Sequence, residues 1–277
     1  MLKTNIQSNK QLDDFDEEFY LNANPDVKLA ISKGHFKSGR EHYEKFGHKE
    51  NREKNSNPRT KFYLVNWFGK KFNFSSFLEI STLISGNKFD KVDSNLFKIK
   101  ECINYYVEEH GQDYAKFGNT YYKDHDFPIL PFDDYLKKII DKNQKYDVIF
   151  LDAYHTVEHT IRDLEAALSL LSKKGVIIVH DCCPPSEALA GPLKKGNWSG
   201  QTYEGYIRFL LKHSKFENFV IDIDYGCGII RPHVKSKVIR DFAVDVDKLS
   251  SWEYFWEHHK KLLNLESIDK LDDLYAP

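Results

Sequence analysis

Residues 145–181, KYDVIFLDAYHTVEHTIRDLEAALSLLSKKGVIIVHD, constrain the fold more than any other stretch of this chain. An apolar run at residues 146–151 ends in Asp152. A second, at 176–179, ends in His180 and Asp181. Short continuous apolar runs of this kind read as strands covered on both faces. Between them Val157, Ile161, Leu164, Leu168 and Leu171 recur at helical spacing, with Thr156 or His155 placed to cap the helix and Gly175 placed to end it. Strand, helix, strand is a βαβ unit with a right-handed crossover. In open parallel sheets ligands bind at the carboxyl ends of the strands, and both ends here carry groups able to hold a proton or a metal.

The flanking text extends this to an α/β domain. Residues 77–80 read as a strand followed by the small-residue turn STLISG, and residues 102–107 as another strand. Residues 132–141 and 203–212 read as helices. Residues 219–224 and 228–231 flank the turn YGCG and read as a closing antiparallel hairpin, and 249–263 as an aromatic helix. Ahead of the domain, residues 14–53 hold a minimal apolar set (Phe19, Tyr20, Val27, Ile31, Phe36, Tyr43, Phe46) on short helices, with Asn24 before Pro25 as a cap and Gly34 and Gly47 as stops. A core that small is expected to pack on something, either a partner protein or another subunit. The expected divisions are a disordered tail at 1–13, a small all-α module at 14–53, a linker at 54–61, the α/β domain at 62–235 and a helical extension at 236–277.

The net charge of −2, from 40 basic and 42 acidic residues, argues against a nucleic-acid binder, which carries a concentrated positive face. The four cysteines, Cys102, Cys182, Cys183 and Cys227, lack metal or redox spacing and are expected to be reduced. The N-terminal text lacks a signal-peptide core, and no apolar run approaches the roughly 20 residues of a membrane span. The expectation is a soluble, cytoplasmic protein without a membrane span.

Three places carry candidate chemistry. The loop from Glu79 through Ser81 and Thr82 to Gly86 is small enough to let backbone approach a nucleotide-like ligand, though a plain tight turn explains it as well. Asp152 and His155 can orient a substrate hydroxyl, take its proton or bind a divalent ion, or His155 can simply cap the next helix. His180 and Asp181 follow the second buried strand, where ionisable groups are costly unless paired or functional. Asp152, His180 and Asp181 together suit a hard cation of the magnesium type. Trp198, in a Gly-rich loop running to Tyr203, can stack on a flat or sugar-like ligand or pin the loop. His155-Thr-Val-Glu-His159 matches H-x-x-E-H, but that zinc pattern belongs inside a helix and here spans a loop-helix junction. A nucleophilic Cys182 lacks a triad.

The block YDVIFLDAYH, RDLEAALSLL and KKGVIIVHDC, with the opening strand FLEISTLISG, resembles the class I S-adenosylmethionine-dependent methyltransferases over residues 75–232. The resemblance implies a Rossmann-like methyltransferase sheet, S-adenosylmethionine as cofactor and, by analogy with some O-methyltransferases, a magnesium ion on the acids after the fourth and fifth strands. It assigns cofactor contacts to Glu79, Ser81, Thr82, Gly86 and Asp152, with Glu108 or Glu109, after the strand at 102–107, as the candidate ribose-binding acid. It makes Asp152, His155 and His180 catalytic candidates and Trp198 and Tyr203 substrate candidates. The pieces FDEEFYL, NPDV, GHF, EHYEKFG and NR resemble a short module found beside bacterial glycosyltransferase and methyltransferase domains. Its company points to a sugar or cell-surface glycan precursor as the methyl acceptor. The alternatives are a methyltransferase-like scaffold that no longer methylates and a metal-dependent hydrolase. The first loop departs from the family pattern, with Ser81 where a glycine is usual.

Overall fold

The computed structural model describes residues 15, 17–47, 50, 52, 54, 60–82, 91–106, 129–141, 143–152, 154–192, 198–235 and 243–275. The chain divides into two compact units, residues 1–58 and 59–277. The expected tail at 1–13 lies outside the described residues.

In the first unit α1 (Glu17–Ala23), α2 (Pro25–Ser32) and α3 (Gly39–His42) gather around the fully buried Tyr20. Its hydroxyl bonds His42 Nδ1 at 2.9 Å, and Phe15 and Tyr43 pack on its ring. Glu17 accepts from the Gly39 and Arg40 amides at 2.6 and 3.1 Å, so an acid of α1 satisfies the N-terminus of α3. Asn24 makes no side-chain cap. Its amide donates to Tyr20 O and its carbonyl accepts from Arg52, which also grips Asp26 through two bonds. Gly34 ends α2 in the left-handed region, as expected. Gly47 closes a single π-helical turn at Tyr43–Gly47, where an added Cβ would lie 2.2 Å from the Tyr20 hydroxyl.

The second unit is built on one eight-stranded sheet in the order β3-β2-β1-β4-β5-β7-β6-β8. The strands are β1 (Ser76–Thr82), β2 (Ile99–Tyr106), β3 (Ile129–Pro131), β4 (Tyr146–Asp152), β5 (Leu171–Val179), β6 (Phe216–Ile221), β7 (Cys227–Lys235) and β8 (Leu265–Glu266). The first five are mutually parallel; β7 runs antiparallel to β5 and β6, forming the expected hairpin. One face carries α5 (Phe132–Asp141), α6 (Val157–Leu170), α7 (Thr202–Lys212) and α8 (Trp252–Leu262), over Ile80, Ile149, Ile177 and Ile230. The other carries α4 (Lys61–Phe72) and α9 (Leu271–Leu274), over Phe77, Phe150, Ile178 and Ile229. Alternation along each strand therefore sends apolar side chains to both layers. This is the Rossmann-like arrangement expected.

Three boundaries differ from the sequence reading. Gly175 does not stop α6; it lies inside β5, where an added Cβ would meet Asp147 O of β4 at 2.8 Å. The glycine lets two strands approach at a register shift. The segment after 236 is more than a helical extension, because Leu265–Glu266 adds an edge strand beside β6. Lys61 is the first residue of α4 rather than the end of a linker.

Asp163, on the inner face of α6, is buried, and Tyr105 donates to its carboxylate at 2.7 Å. Burial pushes its pKa up to about 8 against the opposing Tyr105 bond. Above the unfolded value of about 3.9 the fold retains a proton that the unfolded chain has lost, so this group weakens stability as pH rises toward 8. Asp163→Asn keeps an acceptor for Tyr105 and removes the titration. Its melting temperature should equal that of the parent near pH 4 and exceed it by a margin that grows toward pH 8. Parallel melting profiles across that range would exclude the assignment.

Candidate functional site

Strand order reverses between β1 and β4, where β1 leads to β2 on one side and β4 to β5 on the other. A crevice opens outside the carboxyl ends at such a switch point. Asp152, the last residue of β4, pairs in register with Ser81. His180 follows the last residue of β5, its amide bonded to Leu151 O at 2.9 Å. Asp181 then turns the chain through the left-handed region at φ 61°. The turn ahead of β7 holds this corner: Cys182 N donates to Gly226 O at 3.0 Å and Cys183 N to Tyr225 O at 2.7 Å. Asp224, Tyr225 and Gly226 are themselves left-handed, at φ 47°, 63° and 83°.

Four of the predicted residues converge. His155 Nε2 lies 3.2 Å from Asp181 Oδ2 and 3.6 Å from Asp152 Oδ1. Its Nδ1 bonds the Trp198 carbonyl at 2.8 Å. A carbonyl only accepts, so Nδ1 carries a proton; Nε2 faces two carboxylates and carries one too. His155 therefore stands as an imidazolium. Burial opposes that charge, but Asp152 and Asp181 outweigh it and raise the pKa. His180 Nδ1 lies 2.9 Å from Asp181 Oδ2 and 3.2 Å from Asp152 Oδ1, and its pKa is likewise held well above the ordinary value against burial. Burial would raise both Asp152 and Asp181; Lys61 and His180 on the first, and His180 and His155 on the second, hold them below the usual carboxylate range.

Two further residues belong to this group and were not predicted. The Lys61 ammonium bonds Asp152 Oδ2 and lies 3.3 Å from His180 Nδ1. The Lys61 amide donates to Asp224 Oδ2 at 3.1 Å, so a distant carboxylate caps α4, whose own N-cap Thr60 makes no side-chain cap. Asp224 Oδ1 lies 3.4 Å from His180 Nε2, a charge contact without hydrogen-bond geometry. Burial opposes ionisation of Asp224, and His180 and Lys61 reverse it, leaving the pKa depressed. Asp224 carried one sequence signal, an acid beside Gly226 in a tight turn; Lys61 carried none beyond heading an amphipathic stretch.

The remaining candidates separate. Glu79 is buried three residues short of the β1 end, opposite Cys102 and Phe150, and so lies deeper in the sheet than Asp152. The buried Ser81 donates to Asn104 Oδ1 at 2.8 Å. Thr82 closes β1 opposite Tyr105, while Gly86, Glu108 and Glu109 lie outside the described residues. Trp198 pins its loop: Nε1 donates to Gly191 O at 2.9 Å, and the ring leans on His155 with centroids 5.4 Å apart. Tyr203 is not brought to the site; it is buried against Phe255, ring centroids 4.1 Å apart, because α7 turns that face to the core. In the zinc-like pattern, His159 turns Nδ1 to the Thr156 hydroxyl at 2.7 Å while His155 precedes the helix, so the two rings serve different partners.

A donor atom from each of Asp152, His155 and Asp181 falls within 4.8 Å of the others, a grouping able to enclose a cation. It contains His155 where the sequence reading had His180. Magnesium takes oxygen donors and keeps several waters. Here the carboxylates are already faced by Lys61, His155 and His180, and three nitrogen cations balance the three acids Asp152, Asp181 and Asp224. This donor set does not fit magnesium.

Residues 55–182 match a family described as a methyltransferase domain. The match includes Lys61, Asp152, His155, His180 and Asp181. No curated protein matches the chain. Among solved structures, the chain is similar to the O-methyltransferase from Bacillus cereus in complex with SAH, at 17% identity, covering 61% of this chain and 78% of that one, TM-score 0.44. It is also similar to the O-methyltransferase TomG from Streptomyces achromogenes, involved in tomaymycin synthesis and in complex with SAM, at 13% identity over 68% and 85% of the two chains, TM-score 0.45. A third is the SAH-bound Podospora anserina methyltransferase PaMTH1, at 15% identity over 60% and 76%, TM-score 0.37. Lys61, Asp152, His155, His180 and Asp181, which make most of the charged corner at the switch-point crevice, thus lie in the segment that matches the methyltransferase domain family.

Proposed function

We propose that the protein transfers the methyl group of S-adenosylmethionine to a hydroxyl of a sugar or cell-surface glycan precursor. The observation that carries the reading is the convergence of Asp152, His155, His180 and Asp181 at the carboxyl ends of β4 and β5, inside the matched methyltransferase segment. Methyl transfer is an in-line displacement at carbon: the acceptor oxygen bonds the methyl group, the carbon–sulfur bond breaks, and the hydroxyl proton leaves to solvent or to a basic group. Alignment of the acceptor accounts for most of the barrier that a protein can remove. The side chains of Asp152 and His155 are 11% and 17% exposed, more open than those of His180 and Asp181 at 7% and 6%. The carboxylate can accept from a substrate hydroxyl, and the imidazolium beside it holds the Asp152 charge in place. His180 and Asp181, further in, fix both in place. The glycan class rests on the company that the N-terminal module keeps, which is an association rather than a contact.

Isothermal titration calorimetry with S-adenosylhomocysteine tests the reading. Saturable binding at one site per chain is expected. His155→Ala should leave that binding intact and lower methyl transfer to a sugar acceptor by about 100-fold. The absence of binding would favour a scaffold built on a methyltransferase fold.

A further inference from the structure

Lys61 is the least expected member of the charged corner. It comes from the helix before β1, its side chain is 3% exposed, and it is held at both ends, by Asp224 through its amide and by Asp152 through its ammonium. The Nζ atom lies 5.9 and 5.7 Å from the ring centroids of Phe62 and Phe150, which pack on each other, so the ammonium sits over an aromatic pair. Burying an ammonium is costly unless its partners are fixed, and here they are fixed by a strand end and a left-handed turn.

The geometry points to Lys61 as the resident cation of the site: its ammonium, between Asp152 and His180, neutralises and orients the Asp152 carboxylate from the place where a divalent ion would do so, and methyl transfer here needs no added metal. The inference rests on the methyltransferase reading above. Asp152 has two oxygens, and Lys61 engages Oδ2, leaving Oδ1 turned toward His155 and His180. A divalent ion among Asp152, His155 and Asp181 would have to displace the proton on His155 Nε2, 3.2 Å from Asp181 Oδ2, and then sit among cations. The ammonium supplies the charge without either penalty. Lys61 is thus a positioning residue, acting on the acceptor through Asp152.

The test uses the full chain stripped of metal with a chelator and titrated with Mn2+, followed by the loss of free-ion signal in electron paramagnetic resonance. The parent protein and Lys61→Arg are expected to bind no Mn2+ at millimolar concentration. Lys61→Met keeps the stem but removes the charge, and is expected to gain one Mn2+ site that Asp152→Asn in the same background abolishes. Methyl transfer by the parent should be unchanged by chelator or by added Mg2+, and Lys61→Arg should retain more of it than Lys61→Met. Stoichiometric Mn2+ binding by the parent, loss of its activity in chelator with recovery on Mg2+, or a folded Lys61→Met that binds no metal would each overturn the inference. If Lys61→Met does not fold, the parent titration and Lys61→Arg still decide it. The metal titration needs no cofactor, so it reads out even if S-adenosylhomocysteine fails to bind.

Discussion

Asp152→Ala is expected to lower methyl transfer by about 100-fold or more and to cost about 3–5 kcal/mol of stability. The first effect follows from its place at the end of β4, where it faces His155 and His180. The second follows from Lys61, whose buried ammonium would lose the carboxylate that it bonds. Breaking one half of a buried pair strands the other charge, whereas removing both halves does not. The double variant Asp152→Ala with Lys61→Met should therefore recover most of the lost stability while remaining as inactive as the single one. Urea unfolding of the four proteins closes the cycle, with midpoint shifts at constant slope reporting stability. A single variant within about 0.5 kcal/mol of the parent would remove the pair from any role in holding α4 to the sheet.

Gly200→Ala is expected to be nearly as damaging although it deletes no chemistry. Gly200 sits at φ 62°, and an added Cβ would lie 2.3 Å from the His155 carbonyl oxygen and 2.5 Å from its Cβ. The same carbonyl accepts from Gln201 N at 2.7 Å, so the backbone on which His155 stands is pinned by the loop that the alanine would push away. The left-handed conformation costs about 1 kcal/mol for alanine, and the clash brings the total to roughly 3 kcal/mol. Because misplacing a catalytic group by about 1 Å can cost about 100-fold, turnover should fall with it. Gly191→Ala is the control: φ is 84°, but nothing lies within 4 Å of its added Cβ. It should show the conformational cost alone and keep its activity. Equal losses for the two variants would mean that the His155 contact does not matter.

What the sequence disclosed and what it hid follow from the range of the interactions. The βαβ unit was legible because burial on both faces makes β4 and β5 continuous apolar runs and because α6 shows its period locally. Asp152, His155, His180 and Asp181 were legible because a polar group at the end of such a run is conspicuous. Lys61 and Asp224 are 163 residues apart, and only the folded sheet brings them together. Gly175 looked like a helix stop because a stop and a close strand approach both need the same missing Cβ. Tyr203 looked available because a tyrosine after a Gly-rich loop gives no sign of which side of the coming helix it will occupy.

The position of Lys61 bears on how this protein can be divided. The hydropathy of the chain invites a cut at Phe62, where the apolar text of α4 begins, and the compact unit itself starts at Arg59. A shortened protein beginning at Phe62 would keep every strand and every aromatic contact of α4 and still forfeit the ammonium that balances its acids. Excision for biochemistry should leave residues 59–61 attached, and likewise retain the turn at 224, which lies beyond the end of the matched segment.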